Sequence, residues 1–88
     1  MKIKDTFIKK EVCGVNVVVP VGESTKDYNG TIQLGGSANF VWDILKEGAT
    51  EEEIIEKLLN KYDVSREEVT EDLKTFLNRL REIKCIDE

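Results

Sequence analysis

The sequence predicts an α+β fold with a winged helix-turn-helix-like arrangement, in which a three-stranded antiparallel sheet is followed by three helices. The apolar residues repeat with a period of two as far as Leu34 and with a period near 3.6 from Ser37 onward. The turns between the helical segments are short, so consecutive helices are expected to be neighbours and the last two to form a helix-turn-helix-like pair. The length of 88 residues gives room for one domain, residues 1–88.

Three predicted strands occupy the first part of the chain. Residues 7–12 and 15–19 are rich in aromatic and β-branched side chains, and Gly14 lies between them at a hairpin position. Valines occupy alternate positions along residues 15–19, which indicates a sheet with one buried side. A polar loop then ends in the turn dipeptide Asn29-Gly30, and the third strand follows at residues 31–34.

Three predicted helices follow, each with its own start signal. Ser37 is a good N-cap for the first helix. Thr50-x-x-Glu53 and Ser65-x-x-Glu68 are capping boxes that open the second and third helices. Trp42 falls within an apolar stripe, so we expect it in the core. The stripes of the three helices are Ala38, Val41, Trp42, Ile44 and Leu45; Ile54, Ile55, Leu58, Leu59 and Tyr62; and Val69, Leu73, Phe76, Leu77, Leu80 and Ile83.

The glycine pair Gly35-Gly36 stands between the third strand and the first helix, where a phosphate-binding loop could also lie. Neither the Walker pattern GxxxxGK[ST] nor the dinucleotide pattern GxGxxG is present, and no parallel crossover is available to carry them. We therefore expect a tight strand-to-helix corner that holds no nucleotide, in which Ser37 caps the exposed backbone amides.

The composition argues against metal ions, cofactors and polyanionic partners. The net charge is −5 and the chain contains no histidine, which disfavours both phosphate backbones and a structural zinc site. Cys13 and Cys85 lie far apart with no CxxC spacing. We expect two buried free thiols, with a disulfide between the chain ends as the alternative.

The hydropathy pattern points to a cytoplasmic protein. No apolar run approaches the roughly 18–20 residues of a membrane span. The first ten residues, MKIKDTFIKK, lack the continuous apolar segment of a secretory signal. We therefore expect no membrane partner.

The third helix bears on two further functions, catalysis and DNA binding. Its first turns carry the carboxylates Glu67, Glu68, Glu71 and Asp72, which stabilise a helix N-terminus and would repel DNA from a recognition helix. No histidine, GxSxG motif or activated nucleophile can be identified, so we expect a protein that is not an enzyme. A winged-helix DNA-binding transcriptional regulator is the alternative, and it predicts affinity for duplex that falls steeply with salt.

The third strand contains no proline or lysine that would discourage pairing at a sheet edge. If it is an edge strand, an extended peptide can add beside it through main-chain hydrogen bonds, with pockets against the neighbouring helix. The alternative is a short edge strand with no binding function, and composition does not decide between the two. A structural subunit that dimerises through the same edge is a third hypothesis.

An ordered set of residues covers about the last two thirds of the chain. A leucine ends a short strand before a small-residue turn, and an apolar helix with a tryptophan follows. The matching residues are Leu34 to Ala38, Phe40 to Leu45, Thr50 to Ile54, Leu58, Tyr62, Val64, Ser65, Val69, Asp72, Phe76, Leu77 and Leu80. This combination resembles the PqqD family, small proteins named for coenzyme PQQ (pyrroloquinoline quinone) synthesis and also called RiPP recognition elements. The family usually has a glycine near Lys84, which leaves the course of the last helix's end open.

The resemblance implies a domain that binds the leader segment of a ribosomally made precursor peptide and presents it to a maturation enzyme, often a radical SAM protein. The leader would add as a strand beside the third strand and lie against the third helix. We expect a monomer or weak homodimer with these two partners and no nucleic acid. The peptide contacts implied by position are Thr31, Ile32, Gln33 and Leu34 on the strand, and Thr70, Lys74, Leu77 and Arg81 on the third helix.

Overall fold

The structure is a computed structural model that describes residues 1–26 and 30–87. Asn29 of the predicted turn dipeptide lies outside these ranges. The described residues form an α+β fold, as the sequence predicts. The elements in chain order are β1 (Lys2–Ile3), β2 (Phe7–Val12), β3 (Val15–Pro20), a 3₁₀ helix (Gly22–Lys26), β4 (Ile32–Leu34), α1 (Gly36–Glu47), α2 (Glu51–Lys61), α3 (Arg66–Glu82) and β5 (Ile86–Asp87).

Strands β2, β3 and β4 form an antiparallel sheet in that spatial order, which confirms the predicted three-stranded sheet. Val17 of the central strand pairs with Lys10 on one side and with Gln33 on the other. The turn between β2 and β3 is Cys13-Gly14, whose φ angles of 53° and 79° suit a two-residue hairpin. The sheet therefore has two edges, β2 and β4.

One face of this sheet packs against the helices. Phe7, Val18, Ile32 and Leu34 lie on that face and are buried, because paired residues of antiparallel strands point to the same side. The alternating valines of β3 point to the opposite face and are only half-buried. The predicted one-sided burial is confirmed, with Val18 on the buried side.

The three helices bury the apolar stripes that their periodicity predicts. Trp42 is 1% exposed and lies in the core as predicted, together with the fully buried Leu45, Leu77 and Leu80. Arg66 of α3 forms ion pairs with two glutamates of α2, Glu52 and Glu56, so the two helices are neighbours. None of the described helices is long and apolar enough to cross a membrane.

The N-terminal caps of α2 and α3 follow the prediction. Thr50 accepts a hydrogen bond from the Glu53 amide at 3.2 Å, and the Glu53 carboxylate accepts one from the Thr50 amide at 3.0 Å. That second bond lowers the pKa of Glu53. Ser65 accepts from the Glu68 amide at 3.2 Å. Within the described residues the return bond occurs only at Thr50, so the capping box is complete for α2 and half-formed for α3.

Two short strands that the sequence analysis does not predict complete the core. Strands β1 and β5 pair antiparallel, with Ile3 opposite Ile86, and both isoleucines are buried. Two residues are too few to show a strand periodicity, so only the folded chain reveals the pair. The polar loop after β3 likewise contains a 3₁₀ helix that its composition does not indicate.

Candidate functional site

Strand β4 forms one edge of the sheet, as the strand-addition hypothesis requires. It pairs with β3 on one side, and no strand within residues 1–26 and 30–87 pairs with its outer side. Ile32 and Leu34 point into the core and are 2% and 3% exposed, whereas Thr31 and Gln33 are exposed. A peptide at this edge would meet backbone groups and exposed side chains, while the core residues hold the strand in place.

An apolar cleft of about 410 Å³ lies among the three helices. It lies between the first turns of α1, the end of α2 and the first half of α3. Its first lining residue, Ser37, stands three positions after Leu34 in the chain. The lining residues are Ser37, Ala38, Val41, Leu58, Tyr62, Val64, Val69, Asp72, Leu73 and Phe76.

The glycine pair turns the chain between β4 and α1. Gly36 has a φ of 45°, in the left-handed region that favours glycine, and Gly35 is the extended N-cap of α1. The predicted corner is therefore confirmed. The prediction that Ser37 caps the helix is wrong, because the N-cap is Gly35, two residues earlier, and the described residues provide no side-chain cap there. Ser37 lies within the first turn and lines the cleft instead.

An aromatic pair supports one side of the cleft. The rings of Phe40 and Tyr62 meet edge to face, with centroids 6.1 Å apart. The Lys61 ammonium lies 4.7 Å from the Phe40 centroid and makes a cation–π interaction with that ring. Because Tyr62 lines the cleft, these contacts fix the position of the wall that a bound side chain would touch.

The second edge of the sheet, β2, is protected against strand addition. Lys9 points toward the helices, and its ammonium lies 2.6 Å from the Asp43 carboxylate and 2.6 Å from the Asn39 side-chain oxygen, both on α1. Lys10 beside it is exposed. Lysines on an edge strand, and inward-pointing charges above all, discourage pairing with another chain. Strand β4 has no charged side chain and is the more open of the two edges.

The four α3 residues predicted from the resemblance are not among those that line the cleft. Thr70 and Lys74 lie on a shallow, charged part of the surface at another side of α3. Leu77 is fully buried in the core. Arg81 is half-buried, with its guanidinium 3.4 Å from Glu51 at the start of α2. Their contact with a peptide stays a prediction.

The cleft instead brings together four α3 residues that the predicted site lacks, which are the buried Val69 and Leu73 and, beside them, Asp72 and Phe76. Asp72 and Phe76 are the two that lie outside the buried stripe. They lie one turn apart, across the buried stripe of the helix from Thr70 and Lys74. The sequence held one signal for them, since Asp72 and Phe76 belong to the residues that carry the family resemblance. Thr70 and Lys74 do not belong to that set.

The two cysteines lie in different environments and outside the cleft. Both are free, but Cys13 is exposed and Cys85 is buried. The expectation of two buried thiols is therefore wrong for Cys13, because this residue occupies the hairpin turn. Burial raises the pKa of Cys85 to about 12, so its side chain remains an unreactive, protonated thiol at neutral pH.

Comparisons with known proteins agree with this architecture. The model of the family described as "Coenzyme PQQ synthesis protein D (PqqD)" matches residues 17–86. The solved structure "TbiB1 in Complex with the TbiA(beta) Leader Peptide" matches with a TM-score of 0.80 and 25% sequence identity, covering 99% of this chain and 95% of that chain. The comparison with curated proteins gave no significant match. Since the family match runs from β3 to β5 and includes β4 and all three helices, the chain belongs to the PqqD family.

Proposed function

We propose that this chain binds the leader segment of a ribosomally synthesised precursor peptide and presents it to a modifying enzyme, without catalysing a reaction itself. The observation that carries the proposal is the open edge of β4. An apolar cleft between the helices, whose lining includes Ser37 shortly after the end of β4 in the chain, offers a second surface for the peptide. The similar structure of TbiB1, solved with a leader peptide, supports this choice of ligand.

In the proposed complex the leader adds to the sheet as a fourth strand. Within Thr31, Ile32, Gln33 and Leu34, the residues whose backbone N–H and C=O groups point away from β3, every second one, provide the hydrogen bonds along the edge. The side chains of an extended peptide alternate between two sides, so those on the helix side enter the cleft. Main-chain bonding supplies affinity for any extended segment, and the cleft supplies the preference for particular side chains.

The modifying enzyme is the second proposed partner, with a radical SAM protein as the class expected from the family. A presenting role suits a chain with no histidine and a cleft whose described lining residues include no cysteine, lysine or histidine. We propose that the chain acts as a monomer or weak homodimer, since the edge that would bind the leader is also the edge through which two copies could pair.

The DNA-binding alternative is not favoured. Its recognition helix would be α3, whose first turns expose Glu67, Glu68, Glu71 and Asp72. Because these carboxylates would face phosphates and base edges, the chain's own charge opposes the docking.

The test is an NMR titration of the ¹⁵N-labelled protein with the leader of a candidate precursor peptide, preferably one encoded beside this chain. We expect the largest amide shifts along β4 and around the cleft. The matched variants are Phe76→Ala, inside the cleft, and Lys74→Ala, on the part of α3 predicted from the resemblance.

Phe76→Ala should weaken binding about tenfold or more, because a large apolar contact is lost. Lys74→Ala should leave the affinity nearly unchanged. If Lys74→Ala weakened binding more than Phe76→Ala, the binding groove would lie on the side of α3 that carries Thr70 and Lys74. Saturable binding that leaves the β4 amides unshifted would contradict strand addition.

A further inference from the structure

The cleft contains one ionised side chain in otherwise apolar or neutral surroundings. Among its ten described lining residues, Asp72 is the only one that is charged at neutral pH. Within the described residues, Asp72 makes no hydrogen bond and no ion pair. Some exposed acids do have partners, for example Glu52 and Glu56, which pair with Arg66, but none of these lines the cleft. Asp72 thus offers an unused negative charge at the site where the leader is proposed to lie.

The apolar walls strengthen the effect of this charge. Asp72 is itself exposed, but a bound peptide that covers Val69, Leu73 and Phe76 would displace water beside it, and an opposite charge on that peptide would then be attracted more strongly. The first turn of α1 also borders the cleft, and among the described residues no side-chain cap is present at its N-terminus. The backbone amides there are donors and suit peptide carbonyl oxygens, so they do not replace a cation as the partner of Asp72.

Two basic groups near the helices that line the cleft are already engaged. The Lys61 ammonium lies over the Phe40 ring, and Lys9 is bonded to Asp43 and Asn39. The net charge of the whole chain is −5, so the surrounding field also favours a positively charged ligand.

We propose that the leader segment bound by this chain carries a lysine or arginine that pairs with Asp72, two residues away from a large apolar side chain that contacts Phe76. Same-side residues of an extended strand are spaced about 6.6 Å apart, and Asp72 and Phe76 are offset by about 6 Å along the α3 axis. One extended segment running along α3 can therefore meet both residues with its positions i and i+2. This inference rests on the proposed leader-binding function and specifies the leader's chemistry.

A peptide display library tests the inference without a known leader. Random 12-residue peptides are selected on the full-length protein, and one selected peptide is synthesised for affinity measurement and NMR titration. The variants are Asp72→Asn and, as a control, Glu71→Gln. Glu71 directly precedes Asp72 in the chain, is exposed, lies outside the cleft and carries the same charge.

The selected peptides should carry Lys or Arg two positions from an apolar residue. Asp72→Asn should weaken their binding about fivefold or more, while Glu71→Gln changes it less than twofold. The effect of Asp72→Asn should shrink as salt is raised to about 0.5 M, because screening weakens the ion pair.

Two other outcomes would overturn the inference, and they are distinguishable. Peptides that shift the β4 amides but show no basic preference and no loss with Asp72→Asn would disprove the charge pairing and leave leader binding intact. Peptides that bind without shifting the β4 amides would contradict both the inference and the proposed function.

Discussion

Lys84 follows the last turn of α3 with a φ of 59°, in the left-handed region that glycine adopts most readily. The Cys85 amide donates to the Leu80 carbonyl at 2.9 Å, and the Lys84 amide donates to the Arg81 carbonyl at 3.0 Å. These two bonds form a Schellman motif, which satisfies carbonyls at the end of the helix. The helix therefore ends as it would with a glycine at this position, although the sequence has lysine there.

The left-handed backbone at Lys84 predicts that glycine is preferred to alanine at this site. Lys84→Gly should be more stable than Lys84→Ala by about 1 kcal/mol, because a side chain at positive φ is strained. Both variants lack the contacts of the lysine side chain, so those contacts do not contribute to the difference between them. The measurement is urea unfolding of each variant.

The same pair of substitutions at Lys74 is the control for this prediction. Lys74 lies exposed within α3, where glycine should be less stable than alanine by about 1 kcal/mol. If the difference in stability between the glycine and alanine variants had the same sign at positions 74 and 84, the assigned end of α3 would be contradicted.

The site's residues differ in how far the sequence could predict them. The third strand was predictable from its alternating side chains and the turn before it, and the structure has it at Ile32–Leu34. Its position at an edge was only a condition of the hypothesis, which the strand order β2-β3-β4 now meets. The side of α3 was not predictable, because polar residues flank the buried stripe on both sides. Which flank borders a cleft depends on where α1 and α2 lie, and no local pattern in α3 encodes that.

At the level of the elements, side-chain caps and periodicity explain why the helices were predictable. Helices α2 and α3 begin after Thr50 and Ser65, whose side chains cap them. Helix α1 begins differently, with Gly35 as an N-cap that makes no side-chain bond. Ser37 fits the sequence preference for a cap, but the glycine corner starts the helix before it.

These caps predict different costs for three similar substitutions. Thr50→Ala and Ser65→Ala should each lower the free energy of unfolding by about 1 kcal/mol, because each leaves a helix amide without its acceptor. Ser37→Ala should change it by no more than about 0.5 kcal/mol, since this hydroxyl caps nothing. Thermal or urea unfolding measures all three, and a cost at Ser37 equal to that at Thr50 would show that α1 is capped after all.

At the level of the whole molecule, β1 near the start of the chain and β5 near its end pair with each other and add buried residues to the core. Met1 accepts a hydrogen bond from the Ala49 amide at 2.9 Å, and Lys4 donates to the Cys85 carbonyl at 2.9 Å. Strand β1 thus lies between the α1–α2 connection and the segment that contains β5. The family match begins at residue 17, so β1 and β2 contribute buried residues, among them Ile3 and Phe7, from outside the matched range.

The pairing of β1 with β5 predicts that Ile3 and Ile86 stabilise the fold as a coupled pair. The two residues face each other across β1 and β5 and are 2% and 8% exposed. Each single change to alanine should cost about 2–4 kcal/mol, through lost burial and a residual cavity. The double variant should cost less than the sum by about 0.5–1 kcal/mol, because either change alone already breaks their contact. Urea unfolding of the double-mutant cycle measures the coupling, with Ile→Val changes at both positions if the alanine pair does not fold.

Val12, at the exposed hairpin, is the control: Val12→Ala should add to either isoleucine change without coupling. Strict additivity of the two isoleucine changes would mean that the chain ends stabilise the core separately.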